Sequence, residues 1–555
     1  MTISKHRYTL LGLIALSGSA WAVSPIPTFD KEAVTQYPYM RTGDQRVASP
    51  TDSVSKDTAE QDIPKGNTGT EQDPAFFVKE IQLTGATVED PEGILKELLQ
   101  RYTWRSVKVS EFSTLTDEIA EACRRIGYTI PLAVIPPQEV KNGVLEVQIY
   151  LAAYDHLTIT ENTSRVRDSW LAGYVDSVKK GEVIRDAELE SIINNINDLP
   201  GVRARALLSP GTMPGTTGVD VEVQDREIWN SYVYADNGGG YYSGRYRLGV
   251  NAELNNPLKI GDKIIISGMV TDEETTNYSV RYEFPVGHGG TRWGVAYSQT
   301  NYEFTPNDLY DTLGESEGFS FYGLTPLLRS RAARLTLIYG YDDRAITDEY
   351  NFRADYLSIF DYDVDKDADV FHVGVSGSYY APNHFFQYNL IYWNGDIKTD
   401  GGAYYDGTYQ KITGEALKIF YDGDMNYRFH VRAQHANRAL DGSEQFFLGG
   451  INGVRAYANG DGYGDSGYIA TAEVRHALNF LSGLEAAVFV DYGAAYNRAA
   501  DEFDHLAGAG IGLRYAKPDD WFAQLDIAHK IDGRDDRVEP GNNDLRIWLQ
   551  VYKMF

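Results

Sequence analysis

A single cysteine, Cys123, stands in 555 residues, which excludes an intramolecular disulfide framework and any metal site built from several thiolates. It lies in a segment with helical apolar spacing and reads as a buried, inert thiol. Long apolar runs are missing too: no stretch reaches the roughly eighteen residues that a membrane-spanning helix requires. Basic residues are outnumbered, with Lys+Arg 51 against Asp+Glu 79 and a formal net charge of −28. That balance argues against nucleic acid as a partner, because phosphates demand basic patches. Catalytic signatures are absent as well. There is no Ser nucleophile elbow, no His-Glu-x-x-His and no phosphate-binding glycine loop followed by Lys and Ser or Thr. No catalytic residue, metal ligand or cofactor is expected.

What is present begins with a secretory signal. Lys5, His6 and Arg7 form a basic start, Leu10 to Leu16 an apolar core, and Ala20-Trp21-Ala22 a small-residue cleavage pattern, so residues 1–22 read as a signal peptide. Residues 23–75 are rich in Ser, Thr, Pro, Asp and Gln, and read as a flexible extension, linker or plug. A chain that leaves the cytoplasm without spanning helices can enter a membrane only as a closed β-barrel. Tyr 40, Gly 53 and Trp 8 fit aromatic girdles and glycine-rich strands.

Two small modules follow. In the first, residues 76–152, a strand at Phe77–Leu83 precedes helices near 91–101 and 111–126, with Ile119, Ala122, Cys123 and Ile126 on one face and Gly127 at the C-cap. Strands near 130–135 and 144–150 close a β-α-α-β-β order. The second, residues 153–227, repeats it: a strand near 155–160, helices near 165–177 and 186–198, and strands near 202–208 and 218–224.

From 228 to 555 helical periodicity vanishes. About sixteen segments of alternating polarity follow, an even number as bacterial barrels require. Connections after even-numbered strands are short, as at Asn255–Gly261, Pro285–Gly290 and Asp422–Asp424. Several after odd-numbered strands are long: 341–368, 395–409, 435–466 and 531–543. Short periplasmic turns alternating with long external loops is the outer-membrane pattern. In the last strand Leu545, Ile547, Leu549 and Val551 face lipid by parity, and Arg546, Trp548, Gln550 and Tyr552 face the lumen. The final residue is the aromatic Phe555, as in the signal by which barrels are recognised for insertion.

Three strings resemble one family. Gly127-Tyr128 with Ala133-Val134-Ile135-Pro136-Pro137-Gln138-Glu139-Val140 is similar to the first periplasmic repeat, or POTRA domain, of two-partner secretion transporters. Asn197-Asp198-Leu199-Pro200-Gly201-Val202 is similar to the second. In the barrel, Leu448-Gly449-Gly450 leads to Val454-Arg455-Ala456-Tyr457 and then Gly464-Asp465-Ser466-Gly467, within the sixth external loop at 435–466. The resemblance, to the haemolysin/adhesin secretion-activation branch of the outer-membrane assembly superfamily, covers nearly everything after residue 75. It implies two POTRA domains ahead of a 16-stranded transmembrane β-barrel in a Gram-negative outer membrane. It also implies that the loop folds back into the lumen, with Arg455 at its tip paired to Asp491 of the wall motif Phe489-Val490-Asp491-Tyr492-Gly493. An arginine fork on a carboxylate supplies two directed, charge-assisted hydrogen bonds. Glycine is usual where Ala456 stands; a positive φ there would cost alanine on the order of 1 kcal/mol.

The implied function is translocation of a large unfolded partner with an N-terminal secretion domain, bound by residues 76–226 through strand addition at a sheet edge. Outer-membrane lipid is the other partner, and a monomer the favoured assembly. The alternatives are a barrel-assembly factor, a passive porin, or a surface adhesin working through its loops. Two features invite other chemistry. Asp361, Asp363, Asp365, Asp367 and Asp369 alternate, but an EF-hand would need glycine and glutamate where Lys366 and His372 stand; an acidic, solvated external loop is expected. Gly508-Ala509-Gly510-Ile511-Gly512 has no helix after it, so strand packing accounts for it.

Overall fold

The computed structural model describes residues 74–555 except 177, 274, 305–309, 331, 353–360, 534–538 and 540–543. The expected signal peptide, and all but the last two residues of the extension, lie outside the described residues. The chain divides into two compact units, one ending at Arg226 and the other beginning at Glu227.

In the first unit, β1 (Ala75–Val78) and β2 (Glu80–Gly85) precede α1 (Ile94–Gln100), β3 (Arg105–Lys108), α2 (Phe112–Ile126), β4 (Pro131–Val134) and β5 (Val144–Leu151). Helix α1 starts where the Asp90 carboxylate accepts the main-chain N–H of Ile94, Leu95 and Lys96 at 2.8, 2.9 and 3.1 Å, satisfying donors that a helix start leaves open. Helix α2 buries Leu115, Ile119, Ala122 and Cys123 and ends at Gly127, φ 109°, a left-handed position that glycine adopts without strain. These side chains pack on Val78, Val107, Leu145, Val147 and Ile149. Burial pushes the Cys123 thiol up to about 11.

Two expectations are corrected here. The strand expected at Phe77–Leu83 is two strands, interrupted at Lys79, whose N–H bonds Gly143 O at 2.7 Å. β1 pairs with β3, which was not expected, in an antiparallel ribbon, while β2 enters the main sheet, of order β2-β5-β4. Alternation alone does not reveal that a strand changes partner halfway.

The second module holds β6 (Ala153–Asn162), α3 (Asp168–Val175), α4 (Asp186–Asn197), β7 (Val202–Pro210) and β8 (Thr216–Asp225), with sheet order β6-β8-β7. Its core joins Tyr154, Leu171, Ile193, Ile196, Val219, Val221 and Val223. Only Ala152 separates the two modules' strands. Arg185 crosses to the first, 2.7 Å from Glu89 and with its guanidinium 4.9 Å above the Tyr128 ring.

The second unit is a closed antiparallel barrel of sixteen strands, the number expected. They are β9 (Trp229–Asp236), β10 (Arg247–Asn255), β11 (Lys263–Thr271), β12 (Thr276–Pro285), β13 (Arg292–Phe304), β14 (Tyr310–Arg329), β15 (Ala333–Phe352), β16 (Tyr362–Ala381), β17 (His384–Thr399), β18 (Gly407–Asp422) and β19 (Met425–Ala436). After the sixth loop come β22 (Ser466–Ala477), β23 (Leu484–Asn497), β24 (Glu502–Lys517), β25 (Trp521–Gly533) and β26 (Leu545–Met554). The loop contains the short pair β20 (Phe446–Phe447) and β21 (Tyr463–Gly464). β26 returns to β9 through the pairs Gln550↔Asp236 to Met554↔Tyr232. Above them the Asn237 side chain continues the ladder, accepting from Leu549 N at 2.8 Å and donating to Ile547 O at 2.9 Å.

The outer surface carries Phe371, Val373, Phe429, Val431, Val488, Val490, Ile511, Leu513, Leu545, Ile547 and Leu549, while Trp548 is buried on the lumen side. No helix among the described residues is long and apolar enough to cross a membrane; the chain crosses with strands.

Two of the expected long loops are largely strand. β15 continues to Phe352 and β16 begins at Tyr362, so most of 341–368 is paired; β17 and β18 likewise consume most of 395–409. The acids at 363, 365, 367 and 369 therefore do not sit in a loop. They share the outward, exposed face of β16, and Lys366 points inward. Partners across the ladder, such as Thr347 donating to Asp365 at 2.7 Å, extend the sheet where composition suggested loop. Most of 531–543 lies outside the described residues. Among the described residues no group of three or more His, Cys, Asp and Glu could hold a metal ion.

Candidate functional site: the loop tip in the lumen

The sixth loop, 437–465, starts at the end of β19 and doubles back on itself through β20 and β21. At its tip the main chain closes on itself, with Val454 N bonding Leu448 O at 2.8 Å and Tyr457 N bonding Val454 O at 3.0 Å. This tight turn turns the Arg455 side chain toward the wall, where it is 5 % exposed.

Asp491, on β23, receives Arg455 through three donors. Nε and the main-chain N–H reach Oδ2 at 2.9 and 3.1 Å, and Nη2 reaches Oδ1 at 2.9 Å. Thr471 Oγ1 donates to Oδ1 at 2.9 Å, so both carboxylate oxygens are saturated. The guanidinium carbon lies 3.3 Å from the centre of the Phe489 ring, which adds a cation–π contact in a water-poor place. Arg455 Nη1 also reaches Glu473 on β22 at 2.9 Å and Asp526 on β25 at 3.3 Å. Its main-chain oxygen accepts from Trp548 Nε1 on β26 at 2.7 Å.

Three acids thus face one loop arginine, and two wall arginines balance the rest. Arg514 lies 2.7 Å from Asp526 and 3.3 Å from Glu473, and Arg475 pairs with Glu473. Burying so many charges is tolerable only because each is paired and hydrogen-bonded.

Glycines shape the socket. A Cβ at Gly493 would stand 3.1 Å from Val454 Cγ2, and one at Gly508 would stand 2.5 Å from Ala456 Cβ. The Phe489 ring lies over Gly510. Val454, Ala456, Tyr457, Phe489 and Leu448 form one buried apolar cluster around the ion pairs. Ala456 is not among the residues with positive φ, so the anticipated strain does not arise. The wall makes room for its methyl at Gly508. Tyr457 Oη donates to Asp532 O at 2.8 Å.

Gly464, Asp465 and Gly467 stand where the loop rejoins the barrel. Gly464 passes against the main chain of Tyr496, and a Cβ at Gly467 would lie 2.8 Å from Phe446 Cδ1. Buried Asp465 takes Leu440 N at 2.8 Å and Arg498 N at 2.7 Å, tying both ends of the loop to the top of β23. The sequence reading missed Glu473, Arg475, Arg514, Asp526 and Trp548. The available signal was a charged or indole side chain at lumen parity in mid-strand.

A closed barrel with an apolar outside, a charged inside and a loop pinned in its lumen, preceded by two small α+β modules, is an outer-membrane transport barrel. Comparison with known proteins narrows the class. The family model described as haemolysin secretion/activation protein ShlB/FhaC/HecB matches residues 215–515, and the ShlB-type POTRA domain matches 76–150. The heme/hemopexin transporter protein HuxB of Haemophilus influenzae (strain 86-028NP) is 24% identical over 487 residues, 83% of this chain and 84% of that one. The outer membrane transporter CdiB of Dickeya dadantii (strain 3937) is 22% identical over 477 residues, 82% of each. The solved structure of CdiB from Escherichia coli has the same fold, with TM-score 0.70, 19% identity and coverage of 96% of this chain and 99% of that one. The chain belongs to the haemolysin secretion/activation family. It is a two-partner secretion transporter of the outer membrane, with its POTRA domains in the periplasm.

Proposed function

We propose that residues 76–152 and 153–227 are two POTRA domains that capture one large, unfolded client by its N-terminal secretion domain, and that the barrel at 228–555 passes it outward when the sixth loop shifts. In this reading residues 1–22 are removed on export, residues 23–75 serve as linker or plug, and the transporter works as a monomer in lipid. It carries out no catalysis and binds no nucleic acid. Folding of the client outside biases its diffusion, since the periplasm supplies no nucleotide.

The observation that carries the reading is the clamp itself. Arg455 is held by Asp491 inside the lumen, so passage of a chain requires the loop to move, and an ion pair with three hydrogen bonds is a two-state contact. Capture is supported by the first module's edge strand β4, which ends the sheet. Leu132 and Val134 on β4 and Tyr150 on β5 expose apolar side chains beside that open edge, the arrangement that an added strand with alternating apolar residues would fit.

The test joins binding to secretion. Purified residues 76–226 should bind the secretion domain of a candidate partner saturably, and deleting them should abolish that partner's appearance in the medium. No binding with secretion intact would leave an assembly factor or a porin in place of this reading.

A further inference from the structure

The sixth loop is held in a second place, on another arc of the wall. Asp441 caps, and Glu444 ends, a short 3₁₀ turn at Gly442–Glu444, near the loop's exit from β19. Asp441 accepts from Lys366 Nζ of β16 at 3.2 Å and from Ser443 N at 2.9 Å. Glu444 takes Arg344 Nη1 of β15 and Lys411 Nζ of β18, each at 2.6 Å. Its main-chain oxygen accepts from Lys411 Nζ at 3.1 Å and Gln434 Nε2 at 2.8 Å. The wall supplies its own counter-charges, Asp348 at 2.9 Å from Lys366 and Asp342 at 3.4 Å from Arg344. Leu440 packs with Val370, Ile397, Tyr409 and Ala436 in a buried apolar cluster beside these charges.

We propose that Asp441 and Glu444 form a second, independent anchor, so that the loop leaves the lumen only when both the Arg455 tip and this root release. The proposal rests on the reading of the loop as the gate. Its physical basis is desolvation. Lys366, Asp441 and Glu444 are buried. Withdrawing the loop's two carboxylates leaves three wall cations, Arg344, Lys366 and Lys411, facing two wall acids, an imbalance that a water-poor wall resists. The tip uses β22, β23, β25 and β26, whereas the root uses β15, β16, β18 and β19, so neither anchor substitutes for the other's partners. Asp441 and Glu444 are positioning residues, acting on the gate rather than on the client.

The experiment reconstitutes the purified full-length protein in planar bilayers as wild type, Arg455→Ala, Asp441→Asn/Glu444→Gln, and the three substitutions together. Asn and Gln preserve side-chain volume, and heat-modifiable gel migration confirms that each barrel has folded. The expected result is a rise in the open population of about 10²-fold for Arg455→Ala and about tenfold for the Asn/Gln pair, and in the triple variant a rise near the product of the two up to saturation, as for separate sites. Wild-type conductance in the Asn/Gln protein beside an opened Arg455→Ala protein overturns the second anchor and leaves the gate reading standing. Unchanged conductance in every folded variant overturns the gate reading, and the second anchor with it. A second readout is labelling of Ser443→Cys on whole cells with a membrane-impermeant maleimide. Labelling should accelerate about tenfold with the Asn/Gln pair, a shift of the size expected for one lost buried contact; equal rates overturn the anchor.

Discussion

Asp491→Asn isolates the bond that holds the loop tip. Asp491 accepts four hydrogen bonds: three from Arg455 and one from Thr471. The amide keeps the shape but has only one oxygen; with its NH2 group placed toward Arg455 Nη2 and Thr471, the threonine hydroxyl turns to accept, and the bond from Nη2 is lost along with the charge. Breaking a buried pair by removing one partner costs about 3–5 kcal/mol. Glu473 and Asp526 still contact Arg455 Nη1, so the low end, about 3 kcal/mol, applies, which raises the population of released tip roughly 10²-fold. Trypsin reads this directly, because it cuts after Arg455 only when the tip is out, and cleavage of a transiently opened site tracks its equilibrium population. The folded protein in detergent should yield the fragment ending at Arg455 about two orders of magnitude faster than wild type. A rise below about fivefold in a barrel that still migrates as folded would refute the reasoning, since the ion pair would then contribute under about 1 kcal/mol.

Gly508→Val drives a side chain into the Ala456 methyl; overpacking of this kind costs about 1–3 kcal/mol, should speed the same trypsin cut, and should be relieved by adding Ala456→Gly. Leu132→Asp with Val134→Asp on β4 should leave the melting of residues 76–226 near wild type, because both side chains are exposed, yet weaken client-domain binding by about 2 kcal/mol, near thirtyfold, in a titration. An unchanged affinity would remove β4 from the capture site. Cys123 sets a pH dependence: its thiol titrates at about 11 when folded, above its unfolded value, because burial disfavours the thiolate. Its contribution is therefore fully present below the unfolded thiol's range and is lost as pH rises from there to about 11. Denaturant melts of residues 76–226 at rising pH should show that decline, and Cys123→Ala should lessen it, leaving the share from Tyr102 and Tyr154, whose phenols burial also pushes up.

Much of this protein was legible locally. The last strand's alternation assigns Leu545, Ile547 and Leu549 to lipid and Trp548 to the lumen, as found, because a strand's side-chain period is two whatever it pairs with. The helical face of Ile119, Ala122 and Cys123 is the buried face of α2. Arg455 and Asp491 were picked by motif resemblance and meet at 2.9 Å. What was misread has one cause: pairing is not local. Composition at 341–368 and 395–409 suggested loops, yet neighbouring strands were there to complete the ladders. Phe77–Leu83 alternates like one strand, yet its halves serve different sheets.

By itself, then, the sequence determined which residues face inward, how many strands there are, and which arginine carries the loop, since each follows from chain periodicity or a contiguous motif. Only the tertiary structure decided what that arginine meets beyond Asp491, and that Asp441 and Glu444 find Lys366, Lys411 and Arg344. Which inward-facing charges lie opposite one another depends on barrel closure, on register summed over sixteen strands, and on the path of a loop folded across the lumen. No segment of the chain encodes those alone.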